Sequence, residues 1–210
     1  MSASAEDLIQ QAEDFKQQGN DAFKEGNYKR ALGNYHKVFC YVNGLQVPGE
    51  KSEVSGYADM MGGKSNQVPA EKVEDIKRLK QSTHLNMAAC YLKTDAFQKC
   101  VDSCTKALSV GELPKALFRR GQAQLELRNL DEAKADLERA RELDPTDPAI
   151  GQQLKRLEQA YAQHKAKEKK TFAKMFDQMR KEPDAGADDC QAAMAATAAT
   201  AATAATAATA

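Results

Sequence analysis

The sequence predicts an all-α protein, an α-solenoid of three helical hairpins followed by a long C-terminal capping helix. Three observations favour this fold. Apolar residues recur at helical spacing in stretches such as AEDFKQQGNDAFKEGNYKRALGNYHKVFCYV, without the alternation typical of strands. One pattern of small and bulky residues occurs three times along the chain. After the third copy, a further helical pattern continues from Pro148.

The repeated pattern appears when the segments that begin at Ala12, Gln81 and Pro114 are aligned. Small residues let two helix backbones approach closely, and bulky residues fill the space between neighbouring hairpins. Each unit is therefore predicted to be a helical hairpin that buries its apolar face only against its neighbours. The aligned sets are Gly19, Ala88 and Gly121; Tyr28, Phe97 and Leu130; Ala31, Cys100 and Ala133; Tyr35, Cys104 and Leu137; and Val38, Ala107 and Ala140.

These alignments divide the chain into segments. We expect a lead-in to the first helix over residues 1–11 and a three-repeat domain over 12–147. Gly, Pro and Ser punctuation predicts a mobile inserted loop after the first repeat. The repeats lie near 12–45, 81–113 and 114–147, the loop is 46–70, and 71–80 extends the first helix of the second repeat backwards.

Two segments follow the repeats. Residues 148–182 are predicted to form the capping helix, whose Leu154, Leu157 and Tyr161 cover the exposed end of the third hairpin. Residues 183–210 are a low-complexity alanine and threonine tail, from which we infer no packed structure. Alanine and threonine lack the bulky apolar surface of a membrane-spanning helix, so we expect no membrane association.

Composition narrows the class of protein. Thirty basic residues balance thirty acidic ones, which argues against a nucleic-acid binder but permits a local basic groove. The five cysteines lack CxxC spacing, and no signal-peptide pattern opens the chain. We therefore expect a cytoplasmic monomer without a cofactor.

Polar residues on the first helix of each hairpin form the candidate site, because these helices line the concave surface of such an array. Lys115 and Arg119 follow Pro114 at the start of a helix, where cations are unfavourable. No carboxylate occupies the equivalent face to neutralise them, so we expect an anionic ligand to do so. The full set of candidate donors is Lys16, Asn20, Asn86, Lys115 and Arg119.

The aligned sets of small and bulky residues recur in units of about 34 residues, and the third unit ends in LDP at residues 143–145. These units resemble the tetratricopeptide repeat. The stretches HLNMAACYLK, KALFRRGQAQLEL and EKKTFAKMFDQM are similar to the immunophilin-like branch, which includes large FK506-binding proteins and cyclophilin-type co-chaperones. The 210 residues leave no space for an isomerase domain of about 100 residues, so no enzymatic activity is expected.

The five donors resemble the carboxylate clamp of tetratricopeptide co-chaperones. That resemblance implies binding of the Glu-Glu-Val-Asp C-terminus of heat-shock protein 90, or of 70. Lys16, Asn20 and Asn86 would hold the terminal carboxylates, Lys115 the aspartate side chain and a carbonyl, and Arg119 the peptide backbone or an upstream glutamate. Phe23 is a candidate for an apolar pocket that receives the valine. The alternative is a scaffold that binds a different acidic peptide and has no chaperone role.

Other interpretations are weaker. Cys90, Cys100, Cys104 and His84 suggest zinc, but these cysteines are expected to be inert core residues. The three histidines lack a catalytic partner at motif spacing, so no hydrolase site is predicted. The C-terminal helix is basic and carries an apolar stripe, so it could bind calmodulin or a client protein. The stripe consists of Phe172, Met175, Phe176 and Met179.

Overall fold

The computed structural model describes residues 4–43, 45 and 68–181, which form seven helices and no strand. The predicted all-α fold is confirmed. Each of the first six helices packs against its hairpin partner, and successive hairpins pack against each other. The helices are α1 (Ala5–Lys24), α2 (Tyr28–Val42), α3 (Ala70–Lys93), α4 (Phe97–Leu108), α5 (Pro114–Glu126), α6 (Leu130–Leu143) and α7 (Pro148–Lys181).

The first helix begins earlier than expected. Ser4 is its N-cap and accepts a hydrogen bond from the Asp7 backbone N–H, while the Asp7 carboxylate accepts one from the Ser4 backbone N–H. This reciprocal capping box satisfies two backbone donors at the helix start. Ala5 and Ile9 are buried in a cluster that also contains residues of α2 and α3. The lead-in predicted over 1–11 is therefore shorter, because residues 5–11 belong to α1.

The long helix α3 includes the predicted extension over 71–80. Its first turns are anchored by Ile76 and Leu79, which pack with Val38 and Val42 of α2. The helix begins at Ala70, which is the last residue of the loop predicted over 46–70. Most of that predicted loop, and the whole predicted tail over 183–210, lie outside the described residues.

Close packing within the hairpins explains two of the aligned glycines. A Cβ atom on Gly19 would lie 2.5 Å from Cε1 of Tyr35, and one on Gly121 would lie 2.8 Å from Cγ of Leu137. Both distances are too short for a real contact, so only glycine permits these approaches. In both cases the bulky partner lies on the second helix of the same hairpin, whereas the repeat pattern predicted that bulky residues fill the space between neighbouring hairpins.

The described chain divides into two units at Ala160 and Tyr161, and helix α7 contains residues of both. In the first unit, Leu154 packs with Leu117 and Ile150, and Leu157 is buried, so both residues contribute to the predicted cap. Tyr161 is the first residue of the second unit. None of the helices within the described ranges is long and apolar enough to cross a lipid bilayer.

Candidate functional site

A cavity of about 370 Å³ lies where the first helices of the three hairpins meet. Three of the five predicted donors, together with the predicted apolar residue Phe23, line it. Lys16 and Lys115 do not line this cavity; they lie one helical turn before Asn20 and Arg119, on the same helix faces. The lining residues are Gln17, Asn20, Phe23, Lys24, Tyr35, Asn86, Ala89 and Arg119.

Asn20 is the centre of a hydrogen-bond network in the cavity. Its Oδ1 accepts one bond from the Tyr35 hydroxyl and one from Nδ2 of Asn86, each at 2.9 Å. An asparagine carbonyl oxygen accepts two hydrogen bonds, so Oδ1 is satisfied within the protein. The orientation of the Asn20 amide follows from these contacts, and its Nδ2 group remains a donor.

Tyr35 is a polar contributor that the repeat pattern did not identify. Its side chain is 1% exposed, and burial is the main cause that raises its pKa to about 12. The phenol therefore stays protonated at neutral pH and keeps its role as a donor to Asn20. The repeat pattern aligns Tyr35 with Cys104 and Leu137 and so indicates only a packing residue. A hydroxyl present in only one of the three repeats was the available signal.

Arg119 has a partner inside the protein. Its Nη1 donates to the Leu85 carbonyl oxygen at 2.6 Å, which ties α5 to α3. Burial lowers the pKa of Arg119, although a guanidinium remains charged at any physiological pH. The predicted anionic ligand therefore has one Arg119 donor fewer to bind, because a backbone carbonyl takes it. The fork geometry leaves other N–H groups for a ligand.

The two lysines differ in environment. Lys16 is half-buried, and desolvation lowers its pKa against the opposing effect of Glu13. Lys115 is exposed and forms no ion pair with any residue that the structure describes. Lys115 is therefore the predicted cation that lacks compensation.

The cavity favours an anionic ligand with a small apolar part. None of the described residues that line it is acidic, and the lining lysine, Lys24, pairs with Asp21 at 3.4 Å. Phe23 packs edge-on against Tyr28 and supplies apolar surface beside the amides. Amide and guanidinium donors together bind carboxylates through charge-assisted hydrogen bonds.

The cysteines occupy packed positions. Cys90, Cys100 and Cys104 are fully buried, and Cys100 Sγ lies 3.8 Å from the Arg119 carbonyl oxygen. Burial raises the pKa of Cys90 to about 11, and the Cys100 contact followed by burial raises that of Cys104. The Cys90 and Cys104 thiols therefore stay protonated at neutral pH. Within the described ranges, no cluster of three or more His, Cys, Asp or Glu side chains could hold a metal ion.

Comparison with known proteins identifies the repeat. Residues 114–147 match the family model described as "Tetratricopeptide repeat". The chain is 37% identical over 113 residues to mouse peptidyl-prolyl cis-trans isomerase FKBP4; the match covers 53% of this chain and 25% of the mouse protein. The chain thus spans about a quarter of the length of this relative.

Two solved structures are similar in fold. The C-terminal tetratricopeptide-containing domain of an FK506-binding protein from Plasmodium falciparum has a TM-score of 0.62 and 25% identity, covering 80% of this chain and 97% of that one. The myosin chaperone UNC-45 from Caenorhabditis elegans, in complex with an Hsp90 peptide, has a TM-score of 0.55 and 29% identity. That match covers 73% of this chain and 14% of UNC-45.

Proposed function

We propose that this chain, which is similar to the tetratricopeptide repeat over residues 114–147 and to part of the FK506-binding isomerase FKBP4, is a cytoplasmic, non-enzymatic co-chaperone adaptor. Its ligand is the acidic Glu-Glu-Val-Asp C-terminus of heat-shock protein 90, with the related end of heat-shock protein 70 as a second partner. The observation that carries the proposal is the convergence of Asn20, Asn86 and Arg119 in one cavity, with no acidic side chain among the described lining residues. The Hsp90 peptide bound by UNC-45 supports it.

In this proposal the two asparagines bind the peptide's terminal carboxylate. Asn86 Nδ2 carries two hydrogens, so it can donate one to Asn20 and the other to the ligand. Asn20 offers its own Nδ2 because Oδ1 is already occupied. No bond of this network has to break on binding. Such preorganisation reduces the ordering cost of association.

Three cations complete the clamp: Arg119 lines the cavity, and Lys16 and Lys115 lie one helical turn away from it. Arg119 keeps its bond to the Leu85 carbonyl while its remaining donors reach the peptide backbone or an upstream glutamate. Lys16 and Lys115 act from the turn before Asn20 and Arg119, and their flexible stems bring the ammonium groups over the bound carboxylates. A hydrogen bond to a charged group contributes about 1.5–3 kcal/mol, so a few of them suffice for micromolar affinity.

The test is a fluorescence anisotropy titration with a labelled Met-Glu-Glu-Val-Asp peptide. We expect Arg119→Ala and Asn86→Ala to weaken binding at least tenfold. Arg30→Ala is the matched control, because Arg30 is exposed on α2 and does not line the cavity. Affinity should also fall as salt rises from about 50 to about 300 mM, since the charges are partly exposed.

Two outcomes would count against the proposal. Unchanged affinity in both variants would remove the cavity from the binding site. Equal affinity for a peptide of the same composition in scrambled order would favour the alternative, a scaffold for acidic peptides in general. A chaperone adaptor has to distinguish the ordered C-terminal sequence.

The exposed apolar stripe of α7 favours a second candidate interaction, with calmodulin or with a client protein. Phe172, Met175 and Phe176 are 61%, 48% and 67% exposed. Lys169, Lys170 and neighbouring basic residues surround them, which is typical of helices that bind acidic, methionine-rich grooves. We expect calcium-dependent calmodulin binding that Phe176→Glu abolishes. Binding that persists in this variant would contradict the assignment.

A further inference from the structure

A second cavity, of about 450 Å³, lies between α2, α3 and α4. It shares no lining residue with the cavity around Asn20. On α3, the residues that line it include His84 and Met87, whereas Asn86 and Ala89 line the first cavity. At about 100° per residue, these two sets lie on opposite sides of the helix. A ligand here would therefore leave the proposed chaperone-peptide groove open.

The lining of this second cavity is strongly cationic. Lys80, Lys99 and Lys106 contribute to it, and Asp102 is the one acidic side chain among the described lining residues. Asp102 accepts a hydrogen bond from Gln98 Nε2 at 3.3 Å on its own helix. Even without Lys80, Lys99 and Lys106 outnumber this carboxylate, and the excess of positive charge favours an anion.

Apolar and aromatic surface lies beside these lysines. The rings of Phe39 and His84 stack with centroids 4.3 Å apart, and Met87 and Tyr91 contribute further apolar lining. His84 Nδ1 is buried and has no hydrogen-bond partner among the described residues. Burial, followed by the charges of Lys106, His36 and Lys80, lowers the pKa of His84 to about 4. The His84 imidazole is thus neutral at pH 7.

We propose that this cavity is a second ligand site, which binds a phosphate monoester carried on an aromatic body. The phosphate would lie against the lysine ammonium groups, and the aromatic body against Met87 and Tyr91. A volume of about 450 Å³ is within the range of small-ligand sites and accommodates a single ring with its phosphate. The same chemistry occurs in a phosphotyrosine side chain and in free aryl phosphates.

The test is a titration followed by the ring resonances of the three histidines, at constant ionic strength and pH 7.5. Phenyl phosphate should shift the signals of His36 and His84, which line the cavity. It should leave His164 unchanged, because that residue lies outside the lining and serves as the internal control. Lys106→Gln should weaken the binding at least threefold, whereas Lys72→Gln, an exposed lysine of α3 outside the cavity, should not.

Comparison of probes defines the ligand class. We expect phenyl phosphate to bind at least fivefold more tightly than inorganic phosphate or phenol, because neither of those joins charge to an aromatic ring. Tighter binding of a phosphotyrosine peptide would indicate a protein source, and tighter binding of phenyl phosphate a small-molecule source. Absence of a His84 shift, equal binding of inorganic phosphate, or no effect of Lys106→Gln would overturn the proposal. Binding of the chaperone peptide to Lys106→Gln should equal that of the wild type, which also establishes that the variant is folded.

Discussion

Replacement of Tyr35 by phenylalanine tests how the proposed clamp is held in place. The substitution keeps the ring that fills the space above Gly19 and removes only the hydroxyl that donates to Asn20 Oδ1 at 2.9 Å. A buried intramolecular hydrogen bond contributes about 0.5–1.5 kcal/mol net. Because Asn20 Oδ1 still accepts from Asn86, the acceptor is not left unsatisfied. We therefore expect Tyr35→Phe to lower the free energy of unfolding by about 1 kcal/mol, near the middle of that range.

The same substitution should weaken peptide binding. Without the Tyr35 hydroxyl, one of the two contacts that orient the Asn20 amide is absent, so part of the preorganisation is lost. A loss of about 0.5–1 kcal/mol corresponds to roughly a two- to fivefold lower affinity. Urea unfolding measures the change in stability, and calorimetric titration with Met-Glu-Glu-Val-Asp measures the change in affinity.

Tyr41→Phe is the matched control on the same helix. The Tyr41 ring stacks on Phe15 with centroids 5.4 Å apart, and its hydroxyl makes no hydrogen bond with a described residue. This variant should match the wild type in both assays. If Tyr35→Phe also matched the wild type in both, the role assigned to the Tyr35 hydroxyl would be refuted.

Three further predictions concern stability. Gly121→Ala should destabilise the protein by about 1–3 kcal/mol, because the added Cβ would lie 2.8 Å from Cγ of Leu137. Gly33→Ala, where a Cβ would meet no atom within 4 Å, should stabilise the protein by up to about 1 kcal/mol. Thermal unfolding of the two variants should show these opposite effects. Asp136→Ala should lower the free energy of unfolding, measured in urea, by about 3 kcal/mol, because it removes the carboxylate that accepts two hydrogen bonds of 2.7 and 2.8 Å from Arg120. A decrease below about 1 kcal/mol would contradict this. The folded-state pKa of His84 is about 4, below its ordinary value, so at pH 5 the unfolded chain binds more protons than the folded chain. The contribution of His84 to stability therefore falls as the pH drops from about 6.5 to 4. Relative to His84→Phe, the wild type should lose unfolding free energy between pH 7 and 5, and a constant difference between the two proteins would contradict this.

The hairpins could be predicted from the sequence because their determinants are local. Helical spacing of apolar residues defines each helix, and the small residues at Gly19 and Gly121 mark where a bulky partner approaches. The capping box at Ser4 and Asp7 corresponds to an S-x-x-D spacing in the sequence. The repeat alignment begins only at Ala12, so it places the start of the first helix too late.

The contacts of the site were less accessible to sequence reasoning. The repeat register identified Asn20, Asn86 and Arg119 as residues of one face, since equivalent positions on stacked hairpins point to one groove. It could not identify the partners Tyr35 and Leu85, because these bonds join residues 15 and 34 positions apart through specific rotamers. The helix face alone does not determine which donors a protein satisfies internally.

The second cavity was absent from the sequence analysis for a related reason. Its lysines and aromatic residues come from three helices, and no single helix carries a recognisable motif. In the sequence, His84 suggests only a metal ligand beside the cysteines or a catalytic residue, and neither interpretation indicates a cavity. Its stacking on Phe39 follows from how α2 packs against α3. Such a site depends on the packing between hairpins, which the repeat pattern specifies only in outline.

The central claim, that the groove binds a C-terminal carboxylate, is tested most directly by calorimetric titration with two forms of one peptide. Met-Glu-Glu-Val-Asp with a free C-terminus should bind with micromolar affinity. The same peptide with a C-terminal amide should bind at least tenfold more weakly, because Asn20 and Asn86 would no longer face a charged terminal group. Equal affinity of the two forms, or no binding of either, would contradict the assignment of this cavity as a carboxylate clamp.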